Sequence, residues 1–223
     1  MLQRTPFEEP FLGAACYNLM LPIEPSDLVA LSMARGDTPI FASAKIDASD
    51  DKMARTLGQL GFRRICTQIL LHVHSDSLPG TAGDVRISER LDLDPVDVRA
   101  HGLQLDSGRF RQDPLVPTEA AINLYTAWVR NSTGGAKRVA SINRNFASFE
   151  DSAPIRRIDL VSVLDKGVGI GVKLLTAIIE DARRRGLEEV KVVTDRDNVT
   201  ALRTYRAVGF QPERSLAVLH LLR

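Results

Sequence analysis

Cysteine is scarce in this chain: 223 residues include two, Cys16 and Cys66. Nothing at the start of the sequence reads as an export signal, so both are expected as free thiols in a reducing compartment, and the expected location is cytoplasmic. A surplus of charge is also missing. The 29 Lys and Arg residues nearly match the 28 Asp and Glu residues, leaving a net charge of +1. No electrostatic footprint therefore argues for nucleic acid or a membrane surface as a partner. Long apolar runs are absent too; none approaches the ~18 residues of a membrane span. What remains is the composition of an ordinary globular protein, 44% apolar and 26% charged. The length allows one extended domain or two small ones.

In the first half, residues 17–23 and 39–47 read as strands, 26–36 and 49–60 as helices, and 63–74 as a closing strand. Each helix opens with Ser beside Asp, side chains that cap a helix start by accepting from its free amides. The order β-α-β-α-β predicts a mixed sheet with helices on its faces. Residues 74–84, rich in Gly, Ser, Asp and Pro, read as a linker. The expected division is therefore an N-terminal domain over 1–76, a linker over 77–84 and a second domain over 85–223.

The second half is expected to hold a short strand near 85–91, a helix near 95–105, a polar loop over 106–117 and a helix over 119–132. Tyr125 and Trp128 on that last helix are read as packing residues. Residues 137–150 and 155–164 read as two antiparallel strands separated by Asp151, Ser152, Ala153 and Pro154. The next helix is the most regular in the chain: Gly171, Leu174, Leu175, Ile178, Ile179 and Ala182 share one helical face, and Gly186 is placed to stop it. A strand over 187–195 follows. Asn198 then caps a helix that carries Ala201, Leu202, Tyr205 and Val208 on one side and ends at Gly209. Residues 210–222 close the chain as a strand.

The chain also repeats itself. Ala201 to Phe210 reads ALRTYRAVGF, and 148 positions earlier Met53 to Phe62 reads MARTLGQLGF. At the same offset Asp47 matches Asp195, Asp50 matches Asn198, and Leu70, Leu71 and His72 match Val218, Leu219 and His220. This predicts a duplicated unit. Tyr205 in the later copy stands where the earlier copy has Leu57.

One glycine-rich loop, DKGVGIGVKLL over 165–175, follows an apolar strand and opens the most regular helix. Gly167, Gly169 and Gly171 remove side chains where backbone amides would point into solvent. A helix start carries unpaired N–H groups and a partial positive charge, which suits a diphosphate, and Lys166 adds a mobile cation. The bland alternative is a tight strand-to-helix turn. No Gly-Lys-Ser/Thr follows, so this is not a Walker loop. The sheet before it reads as antiparallel rather than as a βαβ nucleotide-binding unit.

Strand LVSV, loop KGVGIG, an amphipathic helix, strand VKVVTD, then Asn198, Ala201, Tyr205 and Gly209-Phe210 together resemble the core of the GNAT superfamily of acyl-CoA-dependent N-acetyltransferases. The resemblance covers about 137–222. Lys166 stands where that family usually has Arg or Gln; Gly169 and Gly171 stand at its two glycine positions. A longer likeness adds the N-terminal half-unit and the segment SGRFRQDPLVP, and is similar to the dTDP-fucosamine acetyltransferases and other enzymes that acetylate nucleotide-linked amino sugars. The resemblance implies an α+β, sandwich-like GNAT fold with a mixed, mostly antiparallel sheet flanked by helices, preceded by a degenerate half-GNAT unit.

The same resemblance implies the reaction parts. Acetyl-CoA is the co-substrate. The strand over 160–164 splays from its neighbour and holds the pantetheine arm, with an amide among Val161, Ser162 and Val163 facing the oxyanion. Lys166, Gly167, Val168, Gly169, Ile170 and Gly171 hold the pyrophosphate. Asn198 lies on the pantetheine side, and Tyr205 is the acid that protonates the leaving thiolate. The earlier copy, with Leu57 and no glycines over 21–23, is expected to bind no coenzyme A.

On the acceptor side, Arg109 and Arg111 flank Phe110, an arrangement suited to a diphosphate and a stacked base. A solvated charged loop is the alternative. The base that takes the ammonium proton is left open between Asp159, on the key strand, and a water relay. His72 and His74 share a strand face, but the sequence suggests no third ligand, so no metal is expected. A small amine, an antibiotic or a protein N-terminus is the alternative acceptor, and a non-catalytic acyl-CoA-binding module the alternative class. A homodimer is left open.

Overall fold

The computed structural model describes residues 1–33, 39–77 and 83–223. The end of the helix expected over 26–36 and most of the expected linker lie outside the described residues. In chain order the elements are β1 (Leu2–Arg4), α1 (Glu9–Leu12), β2 (Ala15–Leu19), α2 (Pro25–Met33), β3 (Ile40–Asp47), α3 (Asp51–Gln59) and β4 (Arg63–His74). They continue with β5 (Arg86–Ser88), α4 (Pro95–Gln104), α5 (Arg109–Gln112), α6 (Thr118–Thr133), β6 (Arg138–Ile142), β7 (Asn145–Ser152) and β8 (Ile155–Ser162). Last come α7 (Ile170–Arg184), β9 (Glu189–Asp195), α8 (Val199–Ala207) and β10 (Gln211–Leu222). This is the α+β arrangement and the GNAT-type mixed, mostly antiparallel sheet expected from the sequence. Among the described residues, no helix is long and apolar enough to cross a membrane.

The chain forms two compact units, and their boundaries differ from the contiguous domains expected. Unit 1 is Met1–Gln68 with Asp106–Leu124 and Ser215–Arg223; unit 2 is Ile69–Leu105 with Tyr125–Arg214. Most of the C-terminal strand thus belongs to the first unit, and the end of the N-terminal half's last strand belongs to the second. The physical reason is that sheets pair by edge complementarity, not by sequence neighbourhood. β10 pairs with β3 in antiparallel register, Leu216 opposite Asp47 through Leu222 opposite Phe41. In unit 2, β4 is the neighbour of β9. By the 148-residue offset, β3 corresponds to β9 and β10 to β4, so the two copies carry the same pairing with their last strands exchanged.

In unit 1, β1 runs antiparallel to β2, and β2 runs parallel to β3 across the α2 crossover. The core holds Leu19, Ile40, Ala42, Ala44, Ile46, Leu57, Phe62, Leu219 and Leu221. β3 is buried along most of its length, as a strand paired on both sides should be. The strand expected over 17–23 instead spans Ala15–Leu19: Pro22 has no amide to donate to a ladder, and Met20 N–H turns to Met1 O at 2.9 Å. β1 and α1 had no expected counterpart; three and four residues are too few for periodicity to register.

In unit 2 the strand order is β4-β9-β8-β7-β6-β5; β5, β6, β7 and β8 pair antiparallel in turn, and β8 and β9 are parallel. The strands before the loop, β6, β7 and β8, are antiparallel as expected, but β8-α7-β9 is a parallel crossover, so the loop does open a βαβ unit, contrary to the sequence reading. α7 lays Leu174, Leu175, Ile178, Ile179 and Ala182 on Phe149, Ile158, Val190 and Val192. Each large aliphatic side chain buried this way contributes about 1.5–3 kcal/mol. A second cluster joins Val98, Val129, Val139, Phe146 and Leu160. The register of β7 and β8 shifts between Ser148 and Phe149, which pair with Leu160 and Ile158 and leave Asp159 as the extra residue of a bulge. Ile158 and Leu160 therefore enter different clusters.

The single strand expected over 137–150 is a hairpin. Ile142 pairs with Asn145 across Asn143 and Arg144, and Asn143 adopts φ 53°, a left-handed conformation that Asn tolerates better than most residues. Arg156 is fully buried, yet paired throughout. It donates to Asp151 at 2.6 and 2.9 Å and to Ile178 O at 2.8 Å, and lies 2.8 Å from Asp181.

The repeat holds hydrogen bond by hydrogen bond. The Asp50 side chain accepts from Met53 N–H at 2.9 Å, and the Asn198 side chain from Ala201 N–H at 3.1 Å. Asp50 N–H meets Asp47 O, and Asn198 N–H meets Asp195 O, both at 3.0 Å. Gly61 and Gly209 end their helices with φ 93° and 91°, where a side chain would be strained.

Candidate functional site

The site is built where β8 leaves the sheet. Partners of β8 and β9 run in register from Ile155 opposite Glu189 to Ile158 opposite Val192 and go no further. Both strands continue, to Ser162 and Asp195, so the two splay from there. Val161 and Val163 are half-buried and pack against the α7 core. The Ser162 side chain is spent on the other side: its Oγ is 2.7 Å from His101 Nδ1 and accepts from Gln104 Nε2 at 2.6 Å. Only its backbone remains for a ligand.

His101 is fully buried, and its Nε2 lies 3.0 Å from Arg144 O. A carbonyl can only accept, so Nε2 carries the hydrogen and Nδ1 accepts from Ser162. Burial holds the imidazole below its ordinary pKa, in keeping with a neutral ring.

The strand-to-loop junction is pinned by residues the sequence reading did not single out. Asn145 Oδ1 accepts from Leu164 N–H at 2.8 Å and Asp165 N–H at 3.1 Å, while its Nδ2 donates to Asp165 Oδ2 at 2.8 Å. Arg144 donates to Asp165 at 2.7 Å and to Asp97 at 3.2 Å. The Asp165 carboxyl lies below its usual range, first through Arg144 and then Asn145. An Asn just after a hairpin turn looks like turn chemistry in a sequence; only the fold brings it to the loop.

Beyond Asp165 the backbone is bare. Lys166 N–H reaches Leu164 O at 3.1 Å, and Lys173 N–H reaches Gly169 O at 3.1 Å. Between them the six amides of residues 167–172 meet no hydrogen-bond partner among the described residues. Gly167 and Gly169 adopt φ 86° and 75°, and a Cβ on either would meet nothing within 4 Å. Gly169 is the α7 N-cap and provides no side-chain cap. Lys166, Gly167, Val168 and Gly169 are exposed, whereas Ile170 turns into the core. Open amides at a helix start, concave through left-handed glycines, form an anion cradle without any side chain in it.

Gly171 also has a packing task. Its φ is ordinary, and a Cβ there would come within 3.0 Å of Thr204 Cγ2 and 4.0 Å of Val163 Cγ2. It lets α7 approach α8 beside the end of β8. Thr204 is the chain neighbour of Tyr205, so the loop, the splayed strand and the phenol-bearing helix are joined at this point.

Tyr205 is 5% exposed, its ring edge-on to Phe210 with centroids 5.5 Å apart. No described residue hydrogen-bonds its hydroxyl. Burial pushes the phenol pKa up, so the group keeps its proton. Asn198 caps α8 through its oxygen, and its amide nitrogen meets no partner among the described residues.

Asp159 sits on the β7–β8 bulge with its oxygens engaged. It accepts from Trp128 Nε1 at 3.0 Å and Ser132 Oγ at 2.9 Å, and pairs with Lys137 at 2.7 Å. Trp128, expected to pack only, also anchors this carboxylate; it stacks on Tyr125 with ring centroids 6.0 Å apart.

The Arg-Phe-Arg segment lies in unit 1 as a short helix rather than a loop. Phe110 is 2% exposed and meets the rings of Phe41 and His220, each with centroids 5.7 Å away, which corrects its expected role in base stacking. A core aromatic between two arginines reads in the sequence like a stacking platform. Arg109 donates to Ser43 at 2.8 Å. Arg111 keeps a buried guanidinium nitrogen, Nη1, without a partner among the described residues.

A cavity of about 560 Å³, lined by Val85, Ile87, Ala177, Glu180 and Arg184 among others, lies toward the far end of α7 from the loop. It contains none of the cradle's features.

Residues 166–210 match the acetyltransferase (GNAT) family. The spore coat polysaccharide biosynthesis protein SpsD of Bacillus subtilis is 28% identical over 123 residues, 51% of this chain and 42% of that protein. The match thus spans less than half the length of this curated relative. A GCN5-related N-acetyltransferase from Sphaerobacter thermophilus has a similar fold, with TM-score 0.58, 15% identity and coverage of 99% of this chain and 76% of that one. A tandem GNAT protein from the clavulanic acid biosynthesis pathway aligns with TM-score 0.56 and 16% identity, covering 94% and 76%. The matched stretch begins with the bare loop and ends at Phe210 beneath the tyrosine: over these residues the chain is similar to the GNAT acetyltransferase family, and its fold is that of the GNAT structures.

Proposed function

We propose that the protein moves acetyl from acetyl-CoA to the amine of a nucleotide-linked amino sugar by direct transfer. The observation that carries this reading is the run of six unpartnered amides over 167–172, inside the family-matched segment. These amides and Lys166 would hold the pyrophosphate of coenzyme A. The splayed backbone over 161–163 would hold the pantetheine arm, with Asn198 as a further donor.

The amine lone pair forms the new C–N bond at the thioester carbonyl, and the negative charge moves to the carbonyl oxygen. A backbone N–H among 161–163 facing that oxygen is worth about 3 kcal/mol in the transition state. Collapse of the tetrahedral intermediate breaks the C–S bond, and the sulfur leaves with the electron pair. Tyr205 gives the thiolate its proton, and the proton that nitrogen loses as the amide forms passes through water to restore the phenol. A phenol near ~10 donating to a thiol near ~8.5 is uphill by about 2 kcal/mol. Burial raises the phenol further, but the same desolvation makes the thiolate a stronger base. The ammonium proton leaves through water, because Asp159 already accepts from Trp128 and Ser132 and pairs with Lys137.

The sugar-linked acceptor is supported by the likeness to SpsD, whose name belongs to polysaccharide biosynthesis. The test is thiol release from acetyl-CoA across a panel of nucleotide-linked amino sugars, with mass spectrometry of the product. An acetylated nucleotide sugar is expected. Turnover confined to other small amines would replace the acceptor, and coenzyme A binding with no product from any amine would replace the enzyme by a binding module.

A further inference from the structure

We propose that His72, His74 and Glu189 form a divalent transition-metal site of the zinc class on the surface of unit 2, separate from the acetyl-transfer machinery. His72 and His74 are two apart on β4, so their side chains leave the same face of the strand. Glu189 opens the neighbouring strand β9. The third ligand is thus 117 positions from His72 in the chain, which is why the sequence offered only a pair.

One donor atom from each residue lies within 4.8 Å of the other two. His72 Nδ1 is 3.3 Å from Glu189 Oε1, and His74 Nε2 is 4.0 Å from the same oxygen. Zinc bonds of about 2.0–2.1 Å in tetrahedral directions separate neighbouring donors by roughly 3.3 Å. The first pair already has that spacing, and His74 needs only a small side-chain rotation. Two imidazoles and one carboxylate are the borderline donor set that zinc, copper and nickel favour over calcium or magnesium. The His74 side chain is 60% exposed, which leaves the fourth coordination position to water.

The other two of the chain's four histidines, His101 and His220, are fully buried and engaged elsewhere. The rings at 72 and 74 are therefore the only imidazoles that solvent metal meets. Lys191 competes, with its ammonium 3.2 Å from Glu189 Oε2. It also has a second partner, Glu213 at 2.8 Å, to which it can retire when a cation arrives. Both strands belong to unit 2, and β4 is the strand lent by the N-terminal half. A bound metal would rivet the lent strand to its host.

The test uses the full chain without a histidine tag. Zinc titration by calorimetry should give one site per chain, raise the melting temperature and reverse with chelator. Cobalt should give visible absorption typical of a four-coordinate site. His74→Ala and Glu189→Gln should each weaken zinc binding at least about tenfold, while Lys191→Met should tighten it. His74 is exposed, so its variant reports even if Glu189→Gln folds poorly. No zinc binding by the parent chain, or equal binding by His74→Ala, would overturn the site and leave a plain ion-pair cluster.

Discussion

Tyr205 and Leu57 occupy the same step of two equivalent helix ends: Phe210 N–H donates to Tyr205 O at 3.1 Å, and Phe62 N–H donates to Leu57 O at 3.0 Å. Both side chains are buried, and the leucine simply fills the core of unit 1. The phenol oxygen in unit 2 is therefore an addition that packing does not require. Tyr205→Phe should fold normally and bind acetyl-CoA with a Kd within about twofold of the parent. Its kcat should fall by about 10²–10⁴, the usual worth of a positioned acid. Steady-state thiol release and calorimetry decide; unchanged turnover removes the tyrosine from the chemistry.

The loop glycines allow a controlled experiment. Gly167, Gly169 and Gly186 all have left-handed φ, 86°, 75° and 71°, and all have open space around a new Cβ. An alanine at any of them should cost about 1–2 kcal/mol of stability through backbone strain. Only the substitutions at 167 and 169 disturb the cradle, so only they should weaken acetyl-CoA, by about tenfold. Gly186→Ala, at the opposite end of α7, should lose stability in urea while keeping its affinity. Equal affinities across all three variants would argue against the cradle.

The duplicated caps provide a second control. Asp50→Ala and Asn198→Ala each remove one side-chain acceptor from a helix start and should each cost about 1 kcal/mol. A residue that only caps does no more. Asn198→Ala should in addition raise the KM for acetyl-CoA, whereas Asp50→Ala should leave it alone. Matching kinetics in the two variants would reduce Asn198 to a cap.

How much of this was legible in the sequence depended on whether the cause was local. The β4 strand and α7 were found nearly to the residue because their patterns of burial are long and regular. The loop could be read because glycine has few other reasons to recur at 167 and 169 before a helix. Asn145, Arg144 and Glu189 could not be read, since each acts across a gap in the chain that only strand pairing closes. Phe110 was misjudged for a related reason. Its flanking arginines suggested solvent, but a four-residue helix turns the ring inward against Phe41 and His220.

His220 gives unit 1 a sensitivity to acid. It is fully buried, with Nδ1 2.9 Å from Asp113 Oδ2. Burial drives its pKa down to about 4, against the opposing hydrogen bond that the ring donates to Asp113; the positive charges of Arg109 and Arg63 push the same way as burial. The unfolded ring titrates near the ordinary imidazole value of about 6.5. The unfolded chain therefore binds the proton first, and stability is complete above that pH and falls on the way down to about 4. The loss should reach roughly 3 kcal/mol. Buried His101 shifts in the same direction, so the variant must separate them. Urea midpoints should decline between pH 7 and 4.5, and His220→Gln should flatten part of that slope. An unchanged slope would assign the effect to His101 alone.

The lent strands have a consequence for synthesis. A ribosome makes residues 1–68 well before residues 215–223, yet unit 1 is incomplete without Ser215–Arg223. Domains usually fold as they emerge, N-terminal first. Here β2 and β3 are made long before β10, so one edge of β3 must wait unpaired until residues 215–223 have left the exit tunnel, and the earlier strands of unit 1 close only after unit 2 is largely made.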